Sequence, residues 1–269
     1  MSGLEQRTYR PDRRAGAAHA LFGVTAATAA GMMVPTSVAT WVATGGRSLH
    51  ETAQGVARAL DDDDLHHARE LLSSLVGRDP HHLDHGEVAR ATIESVAENT
   101  VDAIVAPALW GALAGGPGVL IHRAVDTLDS MVGYRDDRYA DFGWASARSD
   151  DLAAWLPARV TVALALATRP QSAWAILHAV RHDAPAHPSP NSGLAEAAFA
   201  GALDLTLGGP TTYRGSIEGR PMLGSGHRPT AEDIGRAVSL SQEITTALGA
   251  CLAGYGIARL ISASWRRSR

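Results

Sequence analysis

The chain has 269 residues, and all 24 of its Lys+Arg positions are arginine, because no lysine occurs anywhere. That excludes a P-loop, which needs lysine for the nucleotide phosphates, and any internal Schiff base, so pyridoxal-phosphate and lysine-aldolase chemistry are out. A single cysteine, Cys251, excludes an internal disulfide, a Cys-rich zinc site and an iron–sulfur cluster, and a net charge of -4 provides no basic field for nucleic acid.

Charged residues make up 19% of the chain, against about 25% in soluble domains, which points towards burial or lipid. Residues 1–14 are polar and arginine-rich. From Ala15 to Gly46 there is no Asp, Glu or Arg, a run long enough to cross a bilayer and too long for a signal peptide. Residues 47–92 are polar. Asp61 to Asp64 read as a solvated helix start, and His66, His67, His81, His82 and His85 as solvated loop histidines, since they lack zinc spacing.

Glu87 to Trp110 has a helical pattern that runs into an uncharged stretch, Ala103–Ile121, where Gly115-Gly116-Pro117-Gly118 marks a break or turn. Residues 122–151 are strongly polar, and Leu152–Thr168 is apolar again. A Pro-rich loop covers 181–193, a small-residue helix Gly193–Gly209, a Gly/Pro-rich loop 210–235, and a last apolar helix Ile244–Ser262. No strand-like alternation stands out. The fold class expected is all-α: one multi-pass helical membrane domain over 1–269, with polar catalytic loops between apolar helices. Candidate crossings lie near 17–42, 103–121, 152–168 and 244–262. Arginine clusters at both ends place both termini in the cytoplasm. Simple alternation then puts the polar loops 122–151 and 169–243 on opposite sides, and one active site can use both only if some segments are re-entrant.

Three constellations carry the chemistry. In Glu94-Ser-Val-Ala-Glu98-Asn99-Thr-Val-Asp102 the carboxylates are spaced by four, so one helical face carries all three. Like charges at that spacing repel by about 0.2–0.5 kcal/mol per pair, and a cation relieves this. Mg²⁺ suits carboxylate oxygens together with substrate phosphates. Glu94, Glu98, Asp102 and Asp126 are therefore the metal candidates. In Arg123-Ala-Val-Asp126-Thr-Leu-Asp129-Ser-Met-Val-Gly133-Tyr134-Arg135, acids and arginines alternate between two apolar stretches. With no lysine, Arg123 and Arg135 are the candidates for phosphate, by bidentate forks. In His187-Pro-Ser189-Pro-Asn191-Ser192-Gly193, two prolines fix a loop that opens a helix, a ready anion site, although Asn191 and Ser192 equally suit plain N-caps. Ser189, Ser192 and Gly193 are assigned to ATP. Glu94, Glu98, Asn99, Asp129, His187 and Asn191 are assigned to catalysis.

These motifs, with Tyr139-Ala-Asp-Phe-Gly-Trp144, Asp150-Asp151, Pro157-Ala-Arg159 and Gly201-Ala-Leu-Asp-Leu-Thr-Leu-Gly-Gly209, occur in this order in one family. From about residue 10 to about 262 the chain resembles the adenosylcobinamide-phosphate synthase (cobalamin biosynthesis protein CobD/CbiB) family. The resemblance implies a multi-pass enzyme of the bacterial cell membrane. It implies ATP and Mg²⁺, with adenosylcobyric acid and (R)-1-aminopropan-2-ol or its O-phosphate as the partners joined in an amide. It also implies a further hydrophobic segment, with a Gly-Asp-Pro…His-Pro motif, ahead of residue 1. Asp126 stands where relatives often carry Asn, and Arg123 and Arg135 where they often carry Lys. Two other readings fit parts of the pattern. One is a Mg²⁺-dependent prenyl-type transferase, from the Asp126–Asp129 pair. The other is a non-enzymatic corrinoid transport or scaffold subunit.

Overall fold

The computed structural model describes residues 9–77, 79–133, 138–213 and 216–267. Helices dominate. In chain order they are α1 (Arg13–Met33), α2 (Thr36–Ala43), α3 (Gly46–Asp61), α4 (Leu65–Leu72), α5 (His85–Thr100), α6 (Ala106–Val132), α7 (Trp144–Thr168), α8 (Ala173–His182), α9 (Ser192–Leu203) and α10 (Ala231–Arg267). The starts follow local chemistry. Asp12 and Asp64 accept backbone N–H bonds at α1 and α4, and Asp84 with Glu87 closes a reciprocal capping box at α5. Of the acidic run Asp61–Asp64, only Asp64 opens a helix, whereas Asp61 ends α3 and Asp62 is its C-cap. Of these loop-assigned histidines, only His81 and His82 lie in a loop: His66 and His67 stand on α4 beside Glu70, and His85 begins α5 with its Nε2 3.0 Å from Asp63.

The largest core is built from α3, α4, α5, α7, α9 and α10, with Val56, Leu72, Ile93, Phe199, Leu203 and Ile234 all but inaccessible. Each such side chain stabilises the fold by about 1.5–3 kcal/mol relative to exposure. Alanine and glycine fill α9, so neighbouring backbones approach closely: a Cβ on Gly201 would stand 2.7 Å from the Ala175 carbonyl.

The apolar stretches differ from the expected straight crossings. The 17–42 run is split at Pro35 into α1 and α2. Between α5 and α6, Val101–Val105 forms a π-helical turn. α6 itself is broken at Gly115 (φ 66°, ψ -158°). A Cβ on Gly118 would lie 2.8 Å from the Trp110 carbonyl oxygen, whereas eight residues along a straight helix are about 12 Å apart. The chain therefore folds back at Gly115 into two limbs, 106–114 and 116–132. The freed Gly116 N–H donates to Thr36 Oγ1 at 3.1 Å, and Gly31 of α1 packs against Pro117. Among the described residues, His85–Val132 and Trp144–Thr168 are long and apolar enough to cross a membrane, but the first includes this reversal.

Residues 207–223 also depart from expectation, which ended a helix at Gly209 and made 210–235 a loop: the helix stops at Leu203 and a hairpin follows. β1 (Leu207–Tyr213) and β2 (Ser216–Leu223) pair antiparallel, with an irregularity between Gly208 and Pro210. Glycines and prolines in both strands hid the alternation. Gly208 takes φ +78°, and a Cβ there would stand 2.0 Å from the Pro221 carbonyl oxygen.

Candidate active site

A cavity of about 580 Å³ gathers all three sequence motifs. Glu98 comes from α5, Asp102 from the π turn, Asp126, Asp129 and Ser130 from the end of α6, and Asp150 and Asp151 from α7. Pro188, Ser189, Asn191 and Ser192 bring the loop before α9, and Gly219 and Arg220 arrive on β2. The reversal at Gly115 makes this possible, because it returns Asp126 to the level of Asp102. Phe142, wholly buried, pins the chain between α6 and α7, and a Cβ on Gly143 would clash with the Val132 carbonyl at 1.8 Å.

The motifs are joined directly. Ser192 Oγ donates to Glu98 Oε1 at 3.1 Å. Asn191 Nδ2 donates to the Asp151 carbonyl at 2.8 Å, and Asn191 Oδ1 accepts from Arg159 Nη1 at 3.2 Å. Asn191 thus ties the loop to α7 and makes no side-chain cap. The cap is Ser189, whose Oγ accepts from the N–H groups of Asn191 (3.3 Å) and Ser192 (3.1 Å) and whose carbonyl accepts from Gly193 N–H (3.3 Å). This corrects the expectation of an open anion site at the start of α9: its first donors are already satisfied within the loop.

His187 is buried and does not line the cavity. Its Nδ1 accepts from Ser189 N–H at 3.1 Å, and its Nε2 stands 3.7 Å from Glu196 Oε2, beyond hydrogen-bonding reach. Burial holds its imidazole below the ordinary value, opposed by the Ser189 carbonyl oxygen 3.1 Å from Nδ1 and by Glu98 and Glu94, and reinforced by the Arg220 charge. A Cβ on Gly193 would stand 2.5 Å from His187 Cβ, so glycine is what lets helix and imidazole meet.

Two assigned residues point elsewhere. Glu94 does not share the cavity with Glu98 and Asp102. Its Oε1 accepts from Gly208 N–H at 2.9 Å, while Arg90, 4.0 Å away, donates to the Gly208 carbonyl. Together they clamp β1. Glu94 lines a smaller cavity of about 60 Å³ with Ser95, Glu98, Glu196 and Arg220, so Glu98 and Arg220 belong to both. Asn99 bonds back to Ser95 (2.9 Å to O, 3.2 Å to Oγ) and does not line the main cavity. Arg123, half exposed, is bound to Asp126 at 2.7 Å. Arg135 lies outside the described residues.

Six carboxylates round one cavity create a negative potential that draws a cation. Among the described residues, no three acidic, histidine or cysteine side chains form a ready metal cage. Magnesium does not require one, since it binds through one or two carboxylates, retained waters and substrate phosphates. The all-oxygen wall of Glu98, Asp102 and Asp126 fits that mode. Arg220 had not been singled out from the sequence. A lone arginine between Gly219 and Pro221, in what reads as a loop, carries no pattern.

Comparison with known proteins places the chain in a family. A family model described as CobD/Cbib protein matches residues 2–241. The "Cobalamin biosynthesis protein CobD" of Mycobacterium tuberculosis is 48% identical over 255 residues, 90% of this chain and 82% of that protein. The proteins so named from Rhodobacter capsulatus (46% over 201 residues, 74% of this chain and 64% of theirs) and Geobacter metallireducens (47% over 195 residues, 70% and 60%) are similar as well. No solved structure matches. The chain belongs to the CobD/Cbib family.

Proposed function

We propose that this chain acts in cobalamin biosynthesis as a ligase. It would join a carboxylate of adenosylcobyric acid to (R)-1-aminopropan-2-ol or its O-phosphate, at the expense of ATP. The observation that carries this reading is the convergence of three family motifs on one acidic cavity. The overall reaction turns a carboxylate, an ammonium and ATP into an amide, ADP, phosphate and one proton. A carboxylate oxygen attacks the γ-phosphorus and ADP leaves. The amine nitrogen then attacks the acyl carbon, and phosphate departs with that oxygen.

Such chemistry needs positioning and charge compensation rather than an enzymic nucleophile. The carboxylate wall attracts the ammonium, and Asp129 is assigned to take its proton so that the nitrogen lone pair is free. Asn191 and Ser192 hold the loop against α7 and Glu98. Magnesium, held by Glu98 with Asp102 or Asp126, would neutralise the phosphates of ATP. His187 acts from behind the loop as a positioning residue, and Glu94 acts through the hairpin.

We assign the chain to a membrane. Large apolar side chains stand exposed on several helices: Phe22 and Met33 on α1, Trp41 on α2, Trp155 on α7, and Tyr255 and Ile257 on α10. Such a surface suits lipid, with Trp and Tyr at the interfaces.

The test is amide formation in isolated membranes. With adenosylcobyric acid, the amine, ATP and Mg²⁺, a corrinoid amide and equimolar ADP are expected. No product from either amine sinks the ligase reading. Release into the supernatant on simple washing sinks the membrane assignment.

A further inference from the structure

Among the residues lining the large cavity, Arg220 is the one cation among six carboxylates. Its Nε is buried and has no hydrogen-bond partner among the described residues. A buried donor left unmade is costly, so it calls for an acceptor. Among the described residues, the other expected anion contacts are occupied. The first N–H groups of α9 are satisfied by Ser189, Ser192 Oγ is given to Glu98, and Arg123 is given to Asp126. Arg220 borders open space, since it lines the cavity of about 580 Å³.

The cavity is therefore dipolar, with a negative wall and a single positive corner. A ligand with an ammonium at one end and an oxyanion at the other matches both. A polyphosphate offers several negative charges to one arginine and none of its own cations to the wall. We propose that Arg220 is a specificity-determining residue that binds the phosphate of an O-phosphorylated amine donor, while the ammonium faces the carboxylate wall. This rests on the ligase reading above and refines its amine site. The guanidinium forks onto phosphate oxygens, and the carboxylates hold the ammonium until it is deprotonated.

The experiment compares the full chain with Arg220→Ala and Arg220→Lys in membranes, measuring KM and kcat for aminopropanol O-phosphate, for aminopropanol and for ATP. Arg220→Ala should raise KM for the O-phosphate about 10- to 100-fold, as expected for losing one charge-assisted contact. KM for the unphosphorylated amine and for ATP should stay within about twofold, and Arg220→Lys should recover part of the loss. Thermal unfolding in detergent shows whether the variant folds, and the ratio of kcat/KM between the two amines reads the phosphate contact. Equal losses with both amines, or a rise confined to the KM of ATP, overturn the proposal. If the wild type makes no amide from either amine, the ligase reading has failed independently. Calorimetric titration of purified protein with aminopropanol O-phosphate then decides: binding lost in Arg220→Ala sustains the anion corner, and equal binding by wild type and variant overturns it.

Discussion

Ser192 Oγ donates to Glu98 Oε1 at 3.1 Å, a bond between residues 94 positions apart that fastens the loop before α9 to the acidic helix α5. Glu98 is exposed to the cavity, so water can replace the hydroxyl. Ser192→Ala should therefore cost under about 1 kcal/mol of stability. Amide formation should fall about tenfold, because the carboxylate loses its orientation. Thermal unfolding beside initial rates separates the two effects. Glu98→Ala should lose more activity and its dependence on Mg²⁺, and full retention of both would overturn the metal assignment.

Ser189 caps α9 through its hydroxyl, and the flanking prolines hold it there. Ser189→Ala should lower stability by about 1 kcal/mol, and Ser189→Thr by less. Asn191→Ala removes the bonds to the Asp151 carbonyl and to Arg159, which keeps its bond to the Trp155 carbonyl, and should cost about 1–3 kcal/mol. Denaturation midpoints in detergent give the order. An Asn191→Ala variant as stable as wild type contradicts the structural role described.

Gly208 and Gly219 lie on paired strands yet should respond oppositely. Gly208→Ala forces a side chain into φ +78° and onto the Pro221 carbonyl, at a cost of about 2 kcal/mol or more. Gly219→Ala adds a methyl group to open space and should change stability by less than about 0.5 kcal/mol. A melting-temperature comparison checks this, and equal shifts would disprove the strained bulge.

His187 is kept neutral by burial, with its imidazole below the ordinary value of 6.5. Above pH 6.5 both folded and unfolded forms are neutral, so the contribution is fully present. As pH falls below 6.5 the unfolded chain gains a proton first, and stability drops until the depressed folded value is passed. His187→Gln should flatten the stability profile in that window. An unaltered acid slope in the variant means that another group controls it.

Part of the helical plan was legible because its signals are local: the acidic run before α4, the helical pattern from Glu87 and the glycines round position 115. The break at Pro35 was passed over because the 17–42 run is apolar throughout. The three motifs also announced themselves, since acids, asparagine and rigid prolines are costly beside apolar helices unless used. Spacing alone misplaced Glu94, because a period of four cannot show that Gly208 waits on one side. Asn99 was misjudged likewise, since its amide finds Ser95 on its own helix. Arg220 was invisible because long-range pairing, not pattern, brings it to the cavity. The reversal at Gly115 bears on the crossing count as well. A segment that turns back adds nothing to parity, so residues 98–102 and 126–129 can serve the same face.

The π turn at Val101–Val105 has a separate consequence. One surplus residue in a helix shifts the angular phase of everything beyond it by about 100°. The acidic helix and the apolar limb after it therefore keep independent azimuths: one can be tuned to the ligand and the other to its packing neighbours. Removing a single residue there would leave both sequences intact and turn one against the other, like a key cut correctly but rotated in its lock.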